Sequence, residues 1–355
     1  MNMKKIIIFI IILIPIYTKA ISADAYIVMD ANTNRVLDGK NINKEHLIAS
    51  TTKIMTAIII IENVNLNEEV EVSDVILKSY GSSMYLNVGE KLRVIDLLYG
   101  LLLRSGNDAA IMLANYYSGS MEAFSVVMNN YAKKLGMNHT TFINSSGLEN
   151  DAGIGNISTA YDMAILESYA INNNIYNKIS GTKYYNFKSS NKSFSMKNKN
   201  KLLFETNYVI GGKTGYTKKA RRTLVSAGIK DNKKVIVVTL NDPNDFNDHK
   251  TLYQKVFKNY QIKNVCENIH SIKDPLNLYD GYEFNYDEEC NLLLNKDEIK
   301  SLKIDYVLFD NHSKKNHIAG IIKFKINNNI IYQSLIRLKK KVKWYHYLQC
   351  LFNGC

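Results

Sequence analysis

The chain is short of the residues that build metal and redox centres. It has four cysteines, Cys266, Cys290, Cys350 and Cys355, with no Cys-x-x-Cys pair and no Cys/His cluster. A metal site has no basis in the sequence, and nothing calls for a cofactor. Cys266 and Cys290 can pair as a disulfide or stay as free thiols, and their spacing does not choose between these. Only three prolines occur, with no Pro-rich linker and no internal repeat, which excludes a repeat array. Charged residues make up 22% of the chain against 46% hydrophobic ones, a balance that excludes an intrinsically disordered protein. The formal charge is +12 at pH 7. No nucleic-acid-binding motif accompanies it, so a nucleic-acid role is set aside in favour of a lysine-rich surface drawn to anionic lipid or wall polymer.

What is present begins with an address. Lys4 and Lys5 precede an apolar run over 6–17, and the small residues Ala20, Ser22 and Ala23 follow. This is the tripartite pattern of a secretory signal peptide, taken as residues 1–23, and the run is short for a membrane span. At 355 residues the chain exceeds one ordinary domain. Strand-like runs at 25–30 and 35–37 come first, then a helical block from Ser50 to Ile171, then strand-like runs at 223–229 and 235–240. That order predicts an α+β domain over 24–261, with helices packed on an antiparallel sheet. Over 262–337 short apolar runs alternate with Asn/Asp/Lys turns, the texture of a small all-β domain. Residues 338–355 set Lys339, Lys340, Lys341 and Lys343 beside Trp344, Tyr345, Tyr347 and Phe352 at near-helical spacing. That stretch predicts an amphipathic helix lying in a membrane interface.

The chemistry centres on Ser50-Thr51-Thr52-Lys53 and the apolar run behind it. Residues three apart share a helix face, so the Lys53 amine can reach the Ser50 hydroxyl. Serine needs a neighbour to take its proton, and a lysine can do so once burial lowers its pKa. Two further Ser-x-x-Lys matches, at Ser180 and Ser189, have no apolar helix behind them to bury the lysine. Ser105-Gly106-Asn107 adds a hydroxyl for proton relay and an amide for a substrate carbonyl. Lys213-Thr214-Gly215 adds a cation and a hydroxyl for a substrate carboxylate, with a glycine that admits close backbone approach. The backbone N–H groups of Ser50 and Tyr216 would complete an oxyanion hole.

These three motifs, in this order, are those of penicillin-binding proteins and class A β-lactamases. The chain resembles the serine D-alanyl-D-alanine carboxypeptidases, the low-molecular-mass penicillin-binding proteins. The likeness runs from about Ala25 to Tyr260 through Ala49-Ser50-Thr51-Thr52-Lys53-Ile54-Met55, Ser105-Gly106-Asn107-Asp108-Ala109-Ala110 and Gly212-Lys213-Thr214-Gly215-Tyr216-Thr217. It implies the penicillin-binding/β-lactamase-like transpeptidase fold and removal of the terminal D-alanine from peptidoglycan stem pentapeptides through a Ser50 acyl-enzyme. It also implies acylation of Ser50 by penicillins and a place on the outer face of the cytoplasmic membrane or in the cell wall. By motif position Ser105, Asn107, Lys213, Thr214 and Thr217 carry over. The chain departs from the family where Ala220-Arg221-Arg222 stands for Ala-Gly-Arg, and where Asn156-Ile157 stands for His-Tyr. A class A β-lactamase would need a glutamate with an asparagine four residues on, but Glu167 meets Ile171 and Glu149 meets Gly153. A DD-endopeptidase of the same family and a catalytically silent wall-binding scaffold are the remaining alternatives.

Overall fold

A computed structural model of the chain describes residues 20–266, 279, 282–286, 290–309 and 317–340. Alternation along the first strand, β1 (Ala25–Asp30), already requires cover on two sides. Ile27 and Met29 join one hydrophobic cluster while Val28 joins a second, because successive strand residues point to opposite faces. β2 (Val36–Lys40) turns back along β1. After the helical block come β3 (Val209–Thr217), β4 (Arg221–Lys230) and β5 (Lys233–Leu240). The five strands form one antiparallel sheet in the order β2-β1-β5-β4-β3. This order leaves β3, the strand carrying Lys213, Thr214 and Gly215, at the edge.

The block comprises α1 (Lys53–Asn63), α2 (Val94–Tyr99), α3 (Asn107–Ser118), α4 (Met121–Leu135), α5 (Ala160–Ile171) and α6 (Asn174–Gly181). α1 is apolar around its whole circumference from Ile54 to Ile61 and is buried throughout, as a core helix must be. It packs against α3, α4, α5 and α6, while α5 rests on the sheet. The opposite face is covered by α7 (Asp245–Asn259). There His249 is buried between Ser226 Oγ and Thr239 Oγ1, and desolvation pushes its pKa down to about 3. The expected helix-on-sheet pairing is therefore a three-layer sandwich. The polar stretch over 186–201 is largely hairpin, Tyr184–Lys188 with Ser193–Lys197.

Further along, β6 (Tyr260–Asn264), β7 (Tyr282–Tyr286), β8 (Asn291–Asn295), β9 (Lys303–Leu308), β10 (Ile318–Ile326) and β11 (Asn329–Lys340) follow. β6 pairs with β8, and the others form a sheet in the order β7-β11-β10-β9. Cys290, Leu292, Leu294, Phe324 and Ile336 build a third hydrophobic cluster there. Cys266 and Cys290 are joined as a disulfide, with Cα atoms 5.4 Å apart. Three details differ from the sequence reading. A boundary between 261 and 262 falls inside β6, which is continuous because Tyr260 through Asn264 all pair with β8. A helix, Lys296–Ser301, interrupts the strands, started by an Asn295/Glu298 capping box. Leu338, Lys339 and Lys340 belong to β11, held by Phe284, Glu283 and Tyr282, and so do not begin a helix. Of the expected leader 1–23, residues 1–19 lie outside the described residues, as do residues 341–355 of the expected tail helix 338–355. Among the described residues no helix is long and apolar enough to cross a membrane.

Candidate active site

The turn before α1 sets Ser50, the candidate nucleophile. Ala49 adopts a left-handed φ of 48°, and 3-10 geometry runs over Ala49–Thr52 before α1 takes over at Lys53. A helix starting at Ser50 was expected; the tighter turn forms instead, pinned by Thr51 Oγ1 donating to the Ile48 carbonyl at 2.6 Å. Three residues make one turn of a 3-10 helix, so Ser50 and Lys53 are brought to the same side. Lys53 Nζ lies 3.1 Å from Ser50 Oγ, 2.8 Å from Asn107 Oδ1 and 2.6 Å from the Ser146 carbonyl oxygen. Asn107 Nδ2 donates to the Tyr80 carbonyl at 2.5 Å, which turns the amide oxygen toward the lysine. The amine is fully buried, and desolvation, aided by the positive charges of Lys213 and Lys199, holds its pKa well below the lysine range.

A neutral amine has two N–H groups and one lone pair. Asn107 Oδ1 and the Ser146 carbonyl can take both N–H groups, which leaves the lone pair for the Ser50 hydroxyl proton. The two other Ser-x-x-Lys lysines have no such setting: Lys183 is exposed, and Lys192 lies at the surface beside Glu90.

One cleft wall descends from the turn between α2 and α3. Five residues in π-helical geometry, Gly100–Arg104, end at Ser105, which takes a left-handed φ of 63° before α3 opens at Asn107. Such a conformation is costly for a residue with a Cβ and persists where the surroundings enforce it. Asp108, buried one residue on, accepts hydrogen bonds from Ser83 Oγ, Met84 N and Leu86 N, and so ties the 82–86 loop to α3. The opposite wall is the edge strand β3. A Cβ added at Gly215 would stand 2.3 Å from Thr223 Oγ1 and 3.1 Å from the Ser50 amide nitrogen. The β3 backbone thus passes against the nucleophile turn, and only glycine permits it. Lys213 is buried, donates to its neighbour's carbonyl, Thr214 O, at 2.7 Å, and burial with the nearby charge of Lys199 lowers its pKa to about 7.

Ser50, Ser105, Thr214, Gly215 and Tyr216 line one cleft of about 580 Å³. Lys53, Asn107 and Lys213 lie buried next to these lining residues. Thr217 is placed differently: its hydroxyl donates to Glu149 and accepts from the Ala220 amide, so its side chain is engaged within the protein.

Several residues of the site carry no motif. The Ser146 carbonyl and the Tyr80 carbonyl act through the backbone, where side-chain identity gives no signal. Lys199, Lys201, Arg222 and Phe246 also line the cleft, and Arg222 is held by Asp245 at 2.8 Å with its guanidinium over the Phe246 ring. Asn156, at the position where the chain departs from His-Tyr, donates to Thr52 Oγ1 at 2.9 Å and accepts from the Ile143 and Asn144 amides. It braces the nucleophile turn from behind.

The model of one family, D-alanyl-D-alanine carboxypeptidase of the S11 peptidases, matches residues 15–244. The chain belongs to this family. Its relatives include the D-alanyl-D-alanine carboxypeptidase DacF of Bacillus subtilis, 29% identical over 90% of this chain and 86% of that one. DacC of Escherichia coli is 30% identical over 91% of this chain and 85% of the relative. Among solved structures, penicillin-binding protein 5 of Haemophilus influenzae superposes with a TM-score of 0.73 at 24% identity, covering 91% of this chain and 98% of its own. That likeness, spread over nearly the whole length of this S11 carboxypeptidase, concerns the fold and includes the strands beyond residue 260.

Proposed function

We propose that this S11-family chain is a serine D-alanyl-D-alanine carboxypeptidase acting through a Ser50 acyl-enzyme. The observation that carries the mechanism is the buried contact between Lys53 Nζ and Ser50 Oγ, with two carbonyl oxygens occupying the other amine positions. Lys53 takes the Ser50 proton as Oγ attacks the carbonyl carbon of the penultimate D-alanine. The N–H groups of Ser50 and Tyr216 stabilise the tetrahedral oxyanion. The proton then passes by way of Ser105 to the nitrogen of the departing D-alanine, and water later hydrolyses the ester. Lys213 and Thr214 receive the substrate's terminal carboxylate. Asn107 both orients Lys53 and offers its amide to the stem peptide. An edge strand has free backbone groups beside the cleft, which suits an extended peptide laid along β3. Thr217 lies farther along that strand and contributes to substrate binding through the strand end it closes. Penicillins acylate the same serine.

The peptidoglycan substrate class supports a position on the wall side of the membrane, reached through an export leader that ends within residues 1–23. The Cys266–Cys290 disulfide supports an oxidising compartment. Residues beyond β6 act as a second unit that spaces the catalytic part from the membrane, and the basic aromatic tail rests in the lipid interface. The deciding test is labelling with a fluorescent penicillin followed by assay of D-alanine release. Labelling and release by the parent protein, with both lost in Ser50→Ala, is expected. Cross-link cleavage without D-alanine release would instead make the protein an endopeptidase, and absence of labelling in the parent would make it a scaffold.

A further inference from the structure

The chain enters the fold earlier than a leader of 23 residues allows. Ser22 N donates to Asp248 Oδ2 at 2.5 Å, and its hydroxyl lies 2.8 Å from both Asp242 Oδ1 and Asp248 Oδ2. Ala23 is fully buried and its carbonyl accepts from Lys40 Nζ at 3.1 Å, while Asp24 N donates to the Asn241 carbonyl. Ile21 packs against the hydrophobic cluster under α7. A cut after Ala23 would remove each of these contacts except those of Asp24, and would take the Ser22 hydrogen bonds from two buried carboxylates.

Those carboxylates are short of positive charge. Asp242, Asp245 and Asp248 are all buried at the start of α7. Arg222 answers Asp245, whereas among the described residues no ion pair reaches Asp242 or Asp248: Ser22 bonds both, and the Asn244 amide donates to Asp242 Oδ1 at 3.0 Å. Asp242 Oδ2 and Asp245 Oδ2 are buried with no hydrogen-bond partner among the described residues. Burial raises the pKa of Asp242, and the charge of Asp248 adds to this.

We infer that export processing cuts after Ala20, so that the mature chain begins Ile21-Ser22-Ala23, and that its new α-ammonium group is received beside Asp242 and Asp248. Ala20 is the small residue that a leader cut requires at that place. Hydrolysis of the Ala20–Ile21 peptide bond leaves a carboxylate on the leader and an ammonium on Ile21. That ammonium is one residue from the Ser22 amide already bonded to Asp248, and consecutive Cα atoms are only about 3.8 Å apart. The acidic trio is then a site for the chain's own processed end. It holds down β1 and α7 together.

The inference rests on the export reading, and the experiment separates the two. The full chain is expressed in a bacterium that exports it, and the product is read by intact mass and N-terminal sequencing. Ile21 as first residue is expected. Any other first residue, or an exported chain that keeps Met1, overturns the cut site while export stands. An uncut chain retained in the cytosol overturns the export reading and this inference with it. For the ammonium, the mature form starting at Ile21 is compared with one starting at Asp24, both released from a cleavable tag. Asp248→Asn, or acetylation of the α-amine, is expected to lower the Tm of the Ile21 form by about 3–6 °C. Asp248→Asn should shift the Asp24 form far less. Equal shifts in both forms, or no effect of acetylation, overturn the assignment.

Discussion

At the residue scale the proposed mechanism turns on two lysines that must hold different protonation states. In that mechanism Lys53 has to be neutral to take a proton, and Lys213 has to be charged to receive a carboxylate. Both are fully buried, which disfavours the charged form of each, but Lys53 also feels the positive charge of Lys213. The pair is thus arranged so that charging one discourages charging the other. Lys53→Ala removes the base without touching the sheet, and acylation by penicillin should fall by about 10²–10⁴-fold with an unchanged circular dichroism spectrum. Acylation at the normal rate would move the base elsewhere. The second lysine sets a pH limit. Its amine is charged below about 7 and neutral above, so kcat/KM for substrates ending in a carboxylate should decline on the alkaline side of that value. Lys213→Arg keeps a cation at every working pH, so the alkaline limb should vanish even if the absolute rate is lower. A pH–rate profile with the same limb in both proteins would assign it to another group.

At the element scale the question is what keeps the edge strand β3 against the nucleophile turn. α6 packs on β3, and α6 is joined to α5 through Tyr176 Oη donating to Glu167 Oε2 at 2.7 Å. Glu167 is wholly buried, and desolvation raises its pKa to about 8 from 4.5. In the unfolded chain this carboxyl ionises near its ordinary value, while in the fold it stays protonated until about pH 8. The folded state thus binds the extra proton, and stability falls as pH rises between the two values. Glu167→Gln, which copies the neutral acid, should raise the Tm at pH 8 by at least about 5 °C and leave it nearly unchanged near pH 4.5. Thermal melts that shift equally at both pH values would show that the carboxyl is ionised in the fold. None of this was legible in the sequence, where Glu167 was weighed only as a β-lactamase base. The three motifs were legible because each carries its chemistry in side chains at short fixed spacing. The carbonyls of Ser146 and Tyr80 were not, since a backbone oxygen has no sequence signature. α4 begins and ends, and α5 begins, where side-chain and glycine caps allow, at Ser120, Gly136 and Thr159. The 3-10 turn at Ser50 was hidden because tertiary contacts from Gly147 and Asn156 impose it. A Cβ at Gly147 would lie 1.8 Å from the Ala49 carbonyl oxygen.

At the scale of the whole molecule, the strands beyond residue 260 are attached to the catalytic part by more than a linker. Arg35 pairs with Glu298 at 2.7 Å and donates to the Leu293 carbonyl, while the Leu293 side chain enters the cluster beneath α7. β11 lies between β7 and β10 in the far sheet and carries the chain to Lys340, with Leu338 packed in the third cluster and paired to Phe284. This fixes where a membrane-anchor test must cut. Deletion from Leu338 would unpair the end of β7 and confuse loss of anchoring with loss of folding. Deletion of 341–355 removes Trp344, Tyr345, Tyr347, Leu348 and Phe352 together with Lys341 and Lys343, yet leaves β11 whole. If those residues lie in the lipid interface, the shortened protein should leave the membrane fraction of exporting cells and appear in the soluble exported fraction. It should bind penicillin at the parent rate, because none of the cleft residues comes from that end of the chain. Vesicles with anionic headgroups should retain the parent protein more strongly at low salt than at high salt, since the tail's lysines contribute through charges that salt screens. Membrane retention of the shortened protein would put the attachment on the β sheet itself, where Ile304, Val307 and Phe309 are exposed.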